Sequence, residues 1–334
     1  METIKKQSIN VITTADENLM PLISVQIMSI VDNLPSEYKI NYFLLYDTVK
    51  NRDTKLKRIE ILQKFSYNFK NLTFQDIDVG DIDFFSEITS YGGGWPTPAY
   101  YQLLAHRFLP ENIDRILYLD AGDVFVAGDF REFYFADFCD NVISVTPARY
   151  KVINNELVAY EKEDVFNLDL TEGITRGLFN SGSYMMNTNL MREINFNEEE
   201  YMICAENLKK VKPYIKQKEH EFAYHGDQGF MSAYFLGKIK FYGYPEIKNI
   251  WYMPFNFCLW YYDRMNIIPW YKPVIIHFAG AAKPWEIKYP YETDLNSLLK
   301  TSQSISDLKQ GSKEHYLLWH EYALKTNMLL LASI

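Results

Sequence analysis

The chain has 334 residues, 48% of them hydrophobic, enough for a sizeable core in one large α/β domain or two smaller ones. A formal charge of −9 gives no diffuse attraction to phosphate backbones, and no local basic patch occurs, so a nucleic-acid partner is not expected. The three cysteines, Cys139, Cys204 and Cys258, are spaced too widely for a zinc site or redox dithiol and fit a reducing cytoplasm. No stretch approaches the roughly 20 apolar residues of a membrane span, so membrane contact is expected to be peripheral at most, at the inner face. The polar start, Met1–Ser8, leads directly into strand-like sequence and leaves no room for a signal peptide.

Ile9–Thr13 is a short β-branched run, and Leu22, Ile23, Ile27, Ile30 and Val31 then recur at helical spacing up to Asn33. The order repeats: a strand over Asn41–Tyr46, an amphipathic helix over Lys55–Phe65 and a strand over Leu72–Asp76. Alternation of this kind implies a mostly parallel central sheet flanked by helices. Asp81–Pro98, with Gly92, Gly93 and Gly94, lacks periodicity and reads as a loop over or beside a site, or as a plain connection. A helix over Tyr100–Leu109 stops at Pro110, and Arg115–Leu119 forms a buried strand. Further on, strands are expected near Val142–Thr146 and Ser183–Met186, and helices over Asn197–Val211, Gln228–Leu236 and Glu314–Lys325. The last helix should dock on the body, which divides the chain into a domain over 1–290 and a helical extension over 291–334.

Two segments carry chemistry. In Ile116-Leu117-Tyr118-Leu119-Asp120-Ala121-Gly122-Asp123, an apolar strand delivers two carboxylates at its carboxyl end. Such a pair suits Mn²⁺ or Mg²⁺, whose shell substrate phosphates complete, although Asp and Gly also favour a simple polar turn. In Ile275-Ile276-His277-Phe278-Ala279-Gly280-Ala281-Ala282-Lys283, a second strand opens into a turn holding an imidazole, a glycine and a lysine. Imidazole is a Mn²⁺ ligand, Gly280 permits close approach of a phosphate, and Lys283 offers charge to a leaving diphosphate; a structural histidine is the competing reading.

These two segments resemble glycosyltransferase family 8, which includes bacterial lipopolysaccharide galactosyl- and glucosyltransferases. Three others match in order: Thr14-Ala15-Asp16-Glu17-Asn18, Phe179-Asn180-Ser181-Gly182 and Gly226-Asp227-Gln228. The resemblance spans about residues 8 to 286. It implies a GT-A-type nucleotide-diphospho-sugar transferase fold, a UDP-sugar donor, a carbohydrate-bearing acceptor, Mn²⁺ (or Mg²⁺) and retention at the anomeric carbon. By position, Asp120, Asp123 and His277 resemble the metal ligands. Thr14, Ala15, Asp16, Asn18 and Ala121 resemble nucleotide contacts, Gly280 and Lys283 the diphosphate contacts, and Asn180 and Ser181 donor-sugar contacts. Asp227 and Gln228 match the catalytic pair near the reacting carbon.

Three positions depart from the family pattern. The aspartates are separated by Ala121 and Gly122 instead of one residue, so Asp123 faces the metal only if Gly122 forms a bulge or tight turn. Leu19 replaces a common aromatic ring, and Gln102 a common basic residue, for which Arg107 is either a substitute or a solvated surface charge. The competing functions are a sugar-1-phosphate nucleotidyltransferase, disfavoured because Thr14–Asn18 is not a glycine-rich basic loop, and a catalytically impaired nucleotide-sugar-binding protein.

Overall fold

The computed structural model describes residues 7–147, 150–153, 156–159, 177–210, 215–217, 220–242, 253–259, 271–279, 283–285 and 310–332. Strands β1 (Ser8–Thr14), β2 (Lys39–Tyr46) and β3 (Leu72–Asp78) alternate with helices α1 (Ile23–Asn33) and α2 (Arg52–Ser66), and the three strands pair in parallel. Leu34 is extended immediately after α1, as the following Pro35 requires.

Half of the expected loop over Asp81–Pro98 is in fact α3 (Asp83–Tyr91). Phe84, Phe85 and Ile88 are buried on its inner face, and this short apolar set was too sparse to register as a period. Only the stretch after it remains irregular, fastened to residues 223–226 by bonds from Ala223 N–H to Tyr91 O and from Gly226 N–H to Gly92 O, both 3.1 Å. The predicted helix beyond it begins as a 3₁₀ segment, Thr97–Leu104, with Pro98 in its first turn, and becomes α4 (Ala105–Phe108) before Pro110.

The chain continues through β4 (Arg115–Leu119), β5 (Val124–Val126), α5 (Arg131–Phe135), β6 (Ile143–Pro147), a hairpin of β7 (Tyr150–Ile153) and β8 (Glu156–Ala159), and β9 (Phe179–Asn187). Then come α6 (Thr188–Ile194), α7 (Glu198–Lys210), the pair β10 (Ile215–Gln217) and β11 (His220–Phe222), α8 (Gly226–Tyr234) and β12 (Ile239–Phe241). Last are β13 (Phe257–Cys258), β14 (Ile275–His277) and α9 (Gln310–Ala332). The main sheet has seven strands in the order β12-β6-β9-β4-β1-β2-β3, parallel except for β9, which runs against both neighbours. A small sheet, β13-β14-β5, stands beside it.

Strand alternation divides the core into two layers. Val11, Tyr42, Leu44, Leu117 and Leu119 face α1, α2, the small sheet and α9, whereas Ile12, Phe43, Leu45, Ile116 and Tyr118 face α3, the 3₁₀ segment and α8. Both faces being covered, the strands read as continuous apolar runs. Each such side chain contributes about 1.5–3 kcal/mol on burial. Helix α9 buries Tyr316, Trp319, Tyr322 and Ala323 and leaves Leu317, Leu324, Met328 and Leu331 outward. Its rings meet Phe278 (to Tyr316, 5.0 Å), Phe125 (to Tyr322, 6.1 Å) and Trp285 (to Trp319, 6.2 Å). Among the described residues no helix is long and apolar enough to cross a membrane.

Candidate active site

β1 and β4 lie side by side in parallel, so their carboxyl ends open together, where α/β sheets hold ligands. β9 enters from the opposite direction and brings its amino end, Asn180-Ser181-Gly182, to the same place: Asp120 N–H donates to Gly182 O at 2.9 Å. β14 sets His277 opposite Val124, and Phe278 N–H donates to Asp123 O at 2.8 Å. The first turn of α8 adds Asp227 and Gln228.

The extra residue between the aspartates is absorbed at Gly122. Its φ is +76°, and Asp123 N–H closes on Ala121 O at 2.9 Å, forming the expected tight turn. A Cβ at Gly122 would come within 2.7 Å of Leu22 Cδ1. Gln26 of α1 pins the turn from below, its Nε2 donating to Asp120 O (2.9 Å) and Val124 O (2.7 Å) while its Oε1 accepts from the Tyr42 hydroxyl. Asp123 Oδ2 accepts from Lys283 Nζ at 2.5 Å, and the same ammonium reaches Phe278 O at 3.1 Å.

His277 is buried against Gly182, where any Cβ would lie 2.1 Å from the imidazole Cε1. Its Nδ1 stands 2.7 Å from Asn180 Oδ1 and its Nε2 3.7 Å from Asp120 Oδ2. The second separation is too long for a hydrogen bond. An imidazole nitrogen facing a carboxylate across such a gap, with Asp123 one turn away, is a donor set that fits Mn²⁺ or Mg²⁺. Among the described residues no three His, Cys, Asp or Glu side chains already converge, consistent with Asp123 being held by Lys283.

Burial, followed by the Asp227 and Asp123 carboxylates, pushes Asp120 up to about 7, even though Tyr118 donates to its Oδ1 at 2.9 Å. Burial, with the Lys283 charge second, holds His277 down to about 3, so its imidazole is neutral at physiological pH. Asp227 is raised to about 6 by burial, against hydrogen bonds from Ser181, the backbone and Gln102.

Gln102 Nε2 donates to Asp227 Oδ2 at 2.8 Å and to Ala99 O at 2.7 Å, while its oxygen accepts from Tyr184 at 2.5 Å. A neutral amide thus stands against Asp227. Arg107 does not substitute for it, being paired with Glu198 of α7 with its side chain 47% exposed.

At the end of β1, Ala15 N–H donates to Leu45 O at 3.2 Å, and Asp16 Oδ1 caps the N–H groups of Asn18 (2.9 Å) and Leu19 (3.1 Å). Thr14 Oγ1 lies 3.2 Å from the Tyr118 hydroxyl that serves Asp120. Ala121 is buried in the aspartate turn, and Leu19 packs towards Gly122. The structure therefore gathers Thr14, Asp120, Asp123, Asn180, Ser181, Asp227, Gln228, His277 and Lys283 around one strand-end region, with the Ala15–Asn18 turn beside it. Gly280 lies outside the described residues.

The architecture, a mostly parallel sheet with an acidic strand end, is of the GT-A type found in glycosyltransferases. The Glycosyl transferase family 8 model matches residues 10–288, and the chain belongs to that family. A Haemophilus influenzae protein named provisionally as a glycosyltransferase is 24% identical over 316 residues, covering 93% of this chain and 83% of that protein. The lipopolysaccharide 1,3-galactosyltransferase of Salmonella typhimurium is 27% identical over 195 residues, 57% of this chain and 50% of its own length. Among solved structures, the glycosyltransferase GlyE of Streptococcus pneumoniae superposes with a TM-score of 0.54 at 14% identity, covering 98% of this chain and 63% of that one. The bifunctional glycosyltransferase WbbM gives 0.50 at 14% identity, covering 96% and 53%. These two likenesses carry the fold, and the chain spans less than two thirds of either structure.

Gln26, Asn256, Tyr118 and the reason for Gly182 escaped the sequence reading. Gln26 had a signal, being a polar residue inside the apolar stripe of α1; so did Asn256, a lone amide in Met253-Pro254-Phe255-Asn256-Phe257-Cys258. Gly182 had none, since its neighbour His277 is distant in sequence.

Proposed function

We propose that the chain transfers a hexose, galactose or glucose, from a UDP-sugar to a glycan, glycolipid or glycoprotein acceptor, with retention and with a divalent cation. The observation that carries this reading is the apposition of His277 Nε2 and Asp120 Oδ2, with Lys283 on Asp123, at the carboxyl end of β4. Asp120, His277 and, on release from Lys283, Asp123 would hold Mn²⁺ or Mg²⁺. When bound, such a cation supplies positive charge to the diphosphate as the glycosidic bond breaks.

The remaining roles belong to this chain's side chains. Lys283 exchanges its Asp123 partner for the leaving diphosphate, adding charge where it develops. The Asp16 turn borders the nucleoside, and Asn180, Ser181 and Asp227 bind the donor sugar. Gln228, whose Oε1 lies 3.2 Å from Asn180 Nδ2, sets a partial negative charge near the sugar ring as it becomes cationic. In this retaining scheme the acceptor hydroxyl attacks from the face the phosphate leaves, and its proton passes to that phosphate. No enzyme nucleophile is required. Residues 1–290 form the transferase domain in this reading, and 291–334 an extension of it, in a cytoplasmic protein with at most peripheral membrane contact.

The test is UDP release from a panel of UDP-sugars without acceptor, in Mn²⁺, in Mg²⁺ and in chelator. Slow, metal-dependent hydrolysis of one donor is expected. Absence of both turnover and binding with every donor would overturn the reading.

A further inference from the structure

Asn256 is fully buried, and its amide nitrogen faces three oxygens: Asn180 O (2.8 Å), Asn180 Oδ1 (3.2 Å) and Ser183 O (3.2 Å). Its own Oδ1 has no hydrogen-bond partner among the described residues. A buried amide oxygen left unpaired costs stability, so packing alone does not account for this side chain. Turned over, it would set its oxygen against three others, which leaves one admissible orientation.

That orientation decides the next group. Asn180 Oδ1 accepts from Asn256 and from Gly182 N–H (3.1 Å), and two converging donors identify the atom as oxygen. Asn180 Nδ2 is thereby directed to Gln228 Oε1 at 3.2 Å. His277 Nδ1, 2.7 Å from the same Asn180 oxygen, must carry the imidazole proton, which leaves Nε2 bare and facing Asp120. Asp120 by itself favours the other tautomer, since its negative charge attracts a proton to Nε2 and would close that nitrogen to a cation. The Asn256–Asn180 relay opposes that tendency.

We propose that Asn256 is a positioning residue for the candidate metal site: through Asn180 it locks His277 as the Nδ1–H tautomer and keeps Nε2 available to a divalent cation. The assignment rests on reading Asp120 and His277 as metal-binding, and extends it to Asn256, which has no role in substrate binding. Outer partners that orient a ligating histidine typically change metal affinity by about 10–100-fold.

The tautomer is read on metal-free protein by long-range proton–nitrogen NMR with ¹⁵N-labelled histidine, and the affinity by Co²⁺ titration followed in the visible spectrum. Wild type should show His277 protonated on Nδ1. Asn256→Asp keeps the shape and removes both donors; it should move the proton to Nε2 and weaken Co²⁺ by about tenfold or more. If that variant does not fold, Asn256→Ser, which lacks the amide, carries the same comparison. A wild-type His277 protonated on Nε2 would overturn the relay, as would a folded variant with unchanged tautomer and unchanged Co²⁺ affinity. Wild type that has the Nδ1–H tautomer yet binds no Co²⁺ or Mn²⁺ would overturn the metal reading instead, and with it the purpose assigned to Asn256.

Discussion

Replacing Gly182 by alanine would place a methyl carbon 2.1 Å from His277 Cε1 and 2.5 Å from Nδ1. Carbon atoms in contact sit about 3.5–4.0 Å apart, so the imidazole must retreat by about 1.5 Å or β9 must yield. Either movement reaches the site. A ring displaced that far loses its 2.7 Å contact with Asn180. A shifted strand moves Gly182 O, which accepts from Asp120 N–H. Overpacking of this kind costs about 1–3 kcal/mol of stability, which a protein with two large cores should survive. Displacing a catalytic group by about 1 Å costs about 100-fold in rate. Gly182→Ala should therefore retain its far-ultraviolet circular dichroism, bind Mn²⁺ at least about tenfold more weakly and hydrolyse its donor about 100-fold more slowly. In a His277→Ala background the added methyl has space, and the same substitution should do little further harm. Near-normal metal affinity and turnover in Gly182→Ala, or an equal additional loss in the double variant, would refute the argument.

Asp123→Ala should abolish metal-dependent donor turnover; normal rates in that variant would remove Asp123 from the site. Lys283→Met should slow donor hydrolysis by about 100-fold or more while tightening Mn²⁺ binding, because it frees the Asp123 carboxylate; calorimetric titration separates the two effects. Gly122→Ala meets both a φ of +76° and Leu22, so a lower melting temperature is expected together with weaker metal binding. His106 supplies a pH dependence remote from the site. Burial lowers it to about 4 in the folded protein, with Nε2–H given to Phe196 O at 3.0 Å. Between pH 4 and about 6.5 the unfolded chain binds a proton that the folded one does not. The stability tied to neutral His106 is fully present above that window and is lost as pH falls through it, up to about 3 kcal/mol. Thermal melts of His106→Gln should show a shallower acid slope than wild type; identical slopes would refute the assignment.

How much of this was legible depended on how local each signal was. β1, β2 and β4 are short apolar runs whose boundaries follow from composition, and the glycine between the aspartates pointed to the turn that Gly122 makes. α3 is hidden in the sequence because Phe84, Phe85 and Ile88 are its only buried residues in a stretch otherwise rich in turn-forming types. The candidate ligands stand in recognisable motifs. Their supports do not: in sequence Gln102 looks like a missing cation, yet its amide is spanned between Tyr184 and Asp227, partners that only the fold brings near. Asn256 stands out as a lone amide, but its partners, like those of Gly182, lie far along the chain and no spacing rule names them.

The three rings on the inner face of α9 rest on Phe125, Phe278 and Trp285, each within two residues of Asp123, His277 or Lys283. The match to the family model ends at residue 288, short of that helix. The helix beyond that match is nonetheless a brace behind the candidate site, resting on the segments that carry Asp123, His277 and Lys283. A chain cut at residue 288 would keep every candidate ligand and lose the wall they lean on, so loss of activity in such a fragment would report slack in the site rather than a missing catalytic group.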